Sequence, residues 1–560
     1  MKRTLAILIS LALLLTLTGG AYAVVESDLT TVLGDFSQYG SGNMDKYDPP
    51  IDMTVGMGIS LTKIFPEGES YEDNVWSRAF SDELGVNLKL AFATPDYNDK
   101  INAMIAAGDI PDFMQVNKSQ LLMLADSGLI RDDLFTAYDE NAGASLRLLV
   151  EGIGGEAGMA SATFNGNLMA YPAMNSSPGE ETPMLWLRTD WMEKLGLSDP
   201  QNYADLRAII EAFATQDPDG NGVNDTYGIT FTKNPWDVSY AMDGFANIFG
   251  GFPKTNFWVP DPSDPNKVVY GAFQPQVKTA LAELADLYSK GYIDKEFAVK
   301  DGTGSGELIA SGKLGLTIGA VWITNSSLYP SVDNDPNADW HAVALPGLES
   351  PTTKITGNYP IGSYFVFNAN FEHPEAFIRI VNLYMHKAYG PDATLDNYDK
   401  YVEGISGSSG YTPFQIYPWG SYLPAIKNEM AADLISKGIP SDEIPMWGRP
   451  FAKYVEAYEA GDLSMWRWYR FFGPDGGHLI TGKYIREGLV QMNAYYGPTT
   501  PTMADNMSLI TQLVDEMVVK IVMGEAPVDD FEKFYDQAIG LGLQTITDEC
   551  NDWLAQSIAQ

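Results

Sequence analysis

The chain opens on an export-type leader and carries one cysteine, Cys550, in 560 residues. Lys2 and Arg3 form a short positive start, Leu5 to Leu17 an apolar run, and Ala21-Tyr22-Ala23 a small-x-small cleavage site. A chain of this kind meets an oxidising compartment with no partner thiol. No disulfide can form within it, and no thiolate metal cluster either. At this length there is room for several domains or one large bilobal unit with a sizeable core. The apolar run is too short to span a bilayer, and no later stretch is long and apolar enough. The mature chain is therefore expected to begin near Val24 and to be soluble outside the cytoplasm.

The charge balance narrows the partners. There are 73 acidic and 35 basic residues, a formal net charge of -38. Such a surface repels phosphate backbones and anionic membranes, and it favours a soluble monomer. Hydrophobic residues make up 45% and charged residues 19%, which is a globular balance. The four histidines, His341, His373, His386 and His478, are scattered and have no H-E-x-x-H spacing.

Residues 24–50 are polar and Gly-rich and read as a flexible leader. Beyond Ile51, strand-like and helix-like stretches alternate, which predicts an α/β fold. Leu206, Ile209, Ile210 and Phe213 recur at helical spacing after Asn202, a candidate N-cap. Val277 to Tyr288 carries a longer stripe. Pro374 suits the first turn of a helix through Tyr384. Leu509 to Ile521 forms another stripe, stopped at Gly524. Tyr227–Phe231, Leu314–Ile318 and Tyr364–Phe367 read as strands. Gly302-Thr303-Gly304-Ser305-Gly306 reads as a loop.

Asp217-x-Asp219-x-Asn221-Gly222-Val223-x-Asp225 is the sharpest local pattern. Side-chain oxygens at positions 1, 3, 5 and 9, with the Val223 carbonyl at position 7, suit a hard cation such as Ca2+. Gly222 stands where an EF-hand loop turns sharply. The twelfth position is Gly228 instead of a bidentate Glu, and a strand is expected to follow, so a paired EF-hand is not implied. An Asx-rich turn without metal is the other reading.

Four stretches together carry a resemblance. They are Leu185-Trp186-Leu187-Arg188-Thr189-Asp190-Trp191 with Leu195-Gly196-Leu197, then Asp217 through Gly228, then Leu287 to Asp294 with Glu296-Phe297. The last comprises Ile521 to Glu525, Asp530-Phe531, Glu549 and Asn551-Asp552-Trp553. In order and spacing the chain resembles the family 1 extracellular solute-binding proteins, in particular the long lipoprotein-type members of oligosaccharide importers. One departure is plain: Leu17-Thr18-Gly19 is followed by Gly20, not by the cysteine that receives a lipid anchor. A soluble form cleaved after Ala23 is expected, periplasmic or extracellular.

The resemblance implies a two-lobed, periplasmic-binding-protein-like (type II) fold with a ligand cleft between lobes. Residues 51–172 and 307–355 are expected in lobe one, and 173–306 with 356–560 in lobe two. It further implies capture of a carbohydrate and delivery to the permease subunits of an ABC transporter, not catalysis. A polysaccharide-degrading enzyme and a binding protein feeding a chemosensory receptor are the alternatives. Sugars offer apolar faces to aromatic rings. Trp322 follows the Leu314–Ile318 strand, where a lobe-edge residue would face the cleft, and Trp236, Trp419, Trp447, Trp466 and Trp468 lie in Gly/Pro-rich or polar segments; these six are the candidate ligand contacts, with core packing the alternative for each. Arg188 suits either a bidentate ligand contact or a structural ion pair. No catalytic residue is assigned: no G-x-S-x-G elbow, P-loop or dinucleotide fingerprint occurs.

Overall fold

The computed structural model describes residues 42–558 apart from 60, 62–64, 66, 144–145, 148–154, 165, 175–180, 358–360, 389–399, 402–422, 445–447 and 498. Two separate hydrophobic cores divide the molecule into two lobes. Among the described residues no helix is long and apolar enough to cross a membrane.

The first core is built on a five-stranded sheet. Its order is Val86–Thr94, Ile51–Gly58, Phe113–Val116, Ile361–Phe367 and Tyr171–Met174. The first three strands are parallel, and Ile361–Phe367 runs antiparallel to both its neighbours. Alternation sends Met53 and Val55 into the core, with helices closing over them. Phe377, from helix Glu375–Ala388, stacks on Phe113 at 5.2 Å and reaches Phe365 at 4.9 Å. Fully burying one such ring contributes about 2 kcal/mol. The helix starts are set by side chains: Asn74 and Asn117 each form a capping box.

The second core surrounds a three-stranded antiparallel sheet ordered Leu316–Gly319, Met184–Arg188, Trp340–Val343. All five residues of Met184–Arg188 are buried, so this strand reads as a continuous apolar run ended by an arginine. The predicted helices appear at Tyr203–Thr215, Pro275–Ser289, Glu375–Ala388 and Pro501–Met523. Asn202 does cap the first, accepting from the Asp205 amide at 3.1 Å. Gly524, in a left-handed conformation with φ 75°, ends the last.

Four expectations need correction. Residues 307–355 belong to the second core, not the first: Leu316, Ile318 and Trp340 are fully buried there. The segment that returns to the first core is 361–388, through Phe365, Val366 and Ile378. The cause is sheet pairing over long range, which local patterning does not encode. Gly302-Thr303-Gly304-Ser305-Gly306 opens a helix, Gly302–Ala310, instead of forming a loop. Asp301 caps it, and the Ser305 hydroxyl donates to the Phe231 carbonyl at 2.8 Å. Tyr227–Phe231 makes only isolated bridges, to Leu314 and Ile293. The end of the leader is docked, not free. Tyr47 donates to Glu375 at 2.7 Å, and the Arg379 guanidinium lies 4.4 Å over its ring.

The backbone passes between lobes after Met174, after Gly357 and after Tyr401. The second passage is tied to lobe two by one buried side chain. Asn247 accepts from the Thr356 amide at 2.8 Å and donates to the Gly251 carbonyl at 2.9 Å. Its amide also reaches the Thr356 hydroxyl at 3.0 Å. Replacing Asn247 with Ala strands these buried groups, each costing about 1–3 kcal/mol. The expected outcome for Asn247→Ala is a loss of roughly 2–4 kcal/mol in urea unfolding, with the slope of the transition unchanged.

Candidate functional site

Strand register fixes which ends of the two sheets face each other. In lobe one, Ile361 pairs with Met174 and Tyr364 with Val116. The C-terminal ends of the parallel strands, at Gly58, Thr94 and Val116, therefore lie at the crossover end. In lobe two, Met184 begins its strand at the crossover and pairs with Gly319, while Leu185 pairs with Val343. The turns after Gly319 and Val343 thus also lie at the crossover end. Ligands of open α/β sheets bind at such strand ends.

Trp322 lies at the crossover end of lobe two. It lies in the single-turn helix Val321–Asn325, immediately after Leu316–Gly319, and is half-buried against the second core. Next to it, Gly476 and Gly477 begin the helix Gly477–Arg486. A Cβ on Gly477 would stand 2.8 Å from Val321 and 3.2 Å from both Met184 and Trp186, so only glycine allows this approach. Trp468 is half-buried in an aromatic cluster leading toward the same place. It stacks with Tyr454 at 5.1 Å, and Phe451 stacks with Phe472 at 4.0 Å. Phe472 then meets His478 at 4.7 Å.

Other candidates are placed differently. Trp466 is only 2% exposed, and its indole donates to Asp339 at 3.1 Å, beside the far end of the lobe-two sheet. Trp236 packs against the second core and donates to Asp515 at 2.6 Å. Trp419 and Trp447 lie outside the described residues. Arg188 is at the opposite end of its strand from Met184, about 13 Å from the crossover end at ~3.3 Å per residue. It is 3% exposed and holds Asp190 through two bonds of 2.7 and 2.6 Å. Its guanidinium also lies over Trp191 at 5.1 Å. The ion-pair reading of Arg188 is the one this geometry favours, because its Nε and Nη2 donors already hold Asp190 and Asp335.

Sequence reasoning missed Asp243. It is buried in the short helix Met242–Asn247, whose Gly244 packs against Pro183 and Ile318 at the crossover. Burial pushes its carboxyl above the usual carboxylate range. No local pattern marks it, since its environment comes from Thr356 and Pro183, both distant in sequence.

The Asp217–Asp225 loop lies at the far end of lobe two, away from the crossover. Lys194 donates to the carbonyls of Asp217 and Pro218 at 3.1 and 2.9 Å. A cavity of about 460 Å³, lined by Arg188, Trp191, Lys194, Asp219 and Asp335 among others, adjoins it. Gly220 and Gly222 take left-handed conformations, at φ 75° and 80°. The Asp217 carboxylate accepts from the Gly222 amide at 3.1 Å, and Asn221 donates to Asp219 at 2.7 Å and to Asp225 at 3.1 Å. Among the described residues no three acidic, histidine or cysteine side chains converge at chelating distance, since the Asn221 amide bridges two of the carboxylates. Asp219 is nonetheless raised above the usual carboxylate range, by partial burial first and then by the adjacent Asp217 and Asp225. Crowded acidic oxygens on a glycine-turned loop fit a hard cation, which would relieve that repulsion.

Removing Arg188 leaves Asp190 and Asp335 without their buried cation. Arg188→Met is expected to destabilise lobe two by about 1–3 kcal/mol, the worth of the lost charge-assisted hydrogen bonds to partly exposed carboxylates. A thermal melt checks it; an unchanged midpoint would count against a structural role.

Residues 76–375 match the bacterial extracellular solute-binding protein family. Lipoprotein LipO of Bacillus subtilis is 25% identical over 51% of this chain and 54% of its own. The fructooligosaccharide ABC transporter substrate-binding protein FusA of Streptococcus pneumoniae is 28% identical over 38% of this chain and 40% of its own. The polygalacturonan/rhamnogalacturonan-binding protein YtcQ of Bacillus subtilis is 26% identical over 40% and 41%. The chain thus spans about half the length, or less, of these curated relatives. Solved structures match over more of the chain. An HMO-binding, ABC-transporter-associated solute-binding protein from Bifidobacterium longum infantis gives a TM-score of 0.60 at 15% identity, covering 90% of this chain and 98% of that one. FusA, solved with kestose and as an EF-hand mutant with fructo-nystose, gives 0.59 at 16% over 91% and 100%. Alginate-binding protein AlgQ2, solved without calcium ion, gives 0.56 at 15% over 92% and 100%. These likenesses establish the two-lobed fold, and with more than half its length matched, the chain belongs to the bacterial extracellular solute-binding protein family.

Proposed function

We propose that the chain captures a carbohydrate, an oligosaccharide, between its lobes and delivers it unaltered to the permease subunits of an ABC importer. The observation that carries this reading is the convergence of both sheets' loop-bearing ends at the crossovers, with Trp322 on the lobe-two edge. An aromatic ring there gives a sugar's apolar face a surface to pack on. The printed names of FusA and YtcQ, both saccharide binders, support the ligand class. The work done is lobe closure, so no catalytic group is assigned. The protein acts outside the cytoplasm as a soluble monomer, and its acidity keeps copies apart.

Ca2+ is part of the same reading. Asp217, Asp219, Asn221 and Asp225 would hold it together with the Val223 carbonyl. The ion would neutralise the loop's charge and brace lobe two. Because the loop lies at the far end from the crossovers, its role is structural.

Binding and hydrolysis separate cleanly in one experiment. The protein is melted with kestose, with oligogalacturonides and with milk oligosaccharides, and the sugars are then chromatographed. The expected outcome is a raised melting point with one class and unshortened sugar throughout. At a hundredfold excess over Kd the gain is about 2.7 kcal/mol. Shortened sugar chains would mean an enzyme. Trp322→Ala is expected to weaken binding of the responding sugar by about tenfold, since one aromatic contact is worth roughly 1 kcal/mol beyond its area. Isothermal titration reads this, and unaltered affinity would remove Trp322 from the site. A chelator is expected to lower the melting point of the wild type and leave Asp217→Asn unmoved; a wild type insensitive to the chelator would exclude the ion.

A further inference from the structure

One side chain reaches from the first lobe into the second outside every contact described so far. Lys118 is the first residue of helix Lys118–Ala125, directly after the strand end at Val116. Its backbone is held firmly in lobe one. Asn117 accepts from the Gln120 amide at 2.9 Å, and the Gln120 side chain accepts from the Asn117 amide at 2.9 Å. The Gln120 amide group goes on to Asn102 at 2.9 Å, and Leu121 and Leu124 are buried in the first core. The Lys118 Nζ donates to the Gly497 carbonyl at 2.8 Å, a residue 379 positions away. Gly497 belongs to lobe two: a Cβ there would stand 2.7 Å from Trp553 and 2.8 Å from Tyr495, and Tyr495 and Cys550 are buried in the second core.

We propose that Lys118 is an interlobe latch, whose ammonium, fixed to lobe one by a capped helix, grips the Gly497 carbonyl of lobe two and holds the lobes together without any guest. This rests on the two-lobed fold, not on the identity of the ligand.

The electrostatics give the latch a direction in pH. Burial lowers the Lys118 amine to about 8. The titratable group facing it is Cys550, on helix Leu543–Ile558, whose thiol burial keeps neutral. Glu549 of that helix acts on Cys550 and on Tyr495, and is itself bonded to Thr502 at 2.7 Å. Separation of the lobes returns the amine to water and to its ordinary value. The joined state therefore binds fewer protons above pH 8, so it gains over the separated state as pH rises. The neutral amine keeps a donor for the carbonyl and loses the cost of a buried charge.

The test uses the full chain without sugar, so its failure would leave the carbohydrate reading untouched. Asp99→Cys and Glu211→Cys place spin labels at exposed positions, one on each lobe. Cys550 is buried. Expected is a longer and broader interlobe distance for Lys118→Met than for Lys118 at pH 7.5. Between pH 7.5 and 9.5 the ratio of joined to separated molecules should rise at least about fivefold with Lys118 present and stay constant in Lys118→Met. Superimposable distributions for the two proteins, or a pH response of equal size in both, would overturn the latch. Should Lys118→Met fail to fold, 13C-methylated lysines of the wild type decide. One lysine titrating near pH 8 upholds the latch, and every lysine titrating in the ordinary range rejects it.

Discussion

The buried amide of Asn247 fixes where the molecule can bend. By holding the Thr356 backbone, it makes the strand Ile355–Gly357 part of lobe two up to its last residue. That strand is held a second time through its parallel pairing with Val490–Met492. Any change in lobe orientation must then be absorbed beyond Gly357, and in the matching passages after Met174 and Tyr401. Ile361 is already paired with Met174 in the first sheet. The loop-bearing strand ends of both lobes are gathered beside these passages.

This arrangement separates two kinds of demand on lobe two. Its crossover end carries Trp322, the buried Asp243 and the close approach at Gly477. Its opposite end carries Arg188 with Asp190, Arg470 with Asp339, and the Asp217–Asp225 loop. The strand Met184–Arg188 joins the two ends, and its full burial makes it a rigid spacer.

Much of this was legible in the sequence, for reasons that are local. Helices such as Tyr203–Thr215 announce themselves because a 3.6-residue period and a capping Asn202 lie within one segment. Trp322 was legible because an aromatic directly after an apolar strand marks a strand end. The division of segments between lobes was not. Leu316–Gly319 and Ile361–Phe367 have the same apolar texture, and only their hydrogen-bonded neighbours, far off in the chain, assign them to different sheets. Trp466 was misjudged for the same reason: the Asp339 that accepts its indole proton lies 127 residues away. The helix Gly302–Ala310 was hidden by three glycines whose disfavoured propensity is overridden by a cap and by the Phe231 carbonyl. The Lys118 to Gly497 bond leaves no local trace at all.

The sheet order of the first lobe also sets a timetable. Ile361–Phe367 occupies an interior position between Phe113–Val116 and Tyr171–Met174. Until residue 367 has been synthesised, both of those strands present unpaired edges and the amino-terminal lobe cannot be completed. The three strands of the second sheet, by contrast, are all present once residue 343 has emerged. The first lobe's sheet is thus completed later than the three-stranded sheet of the second, although its strands begin to be made first.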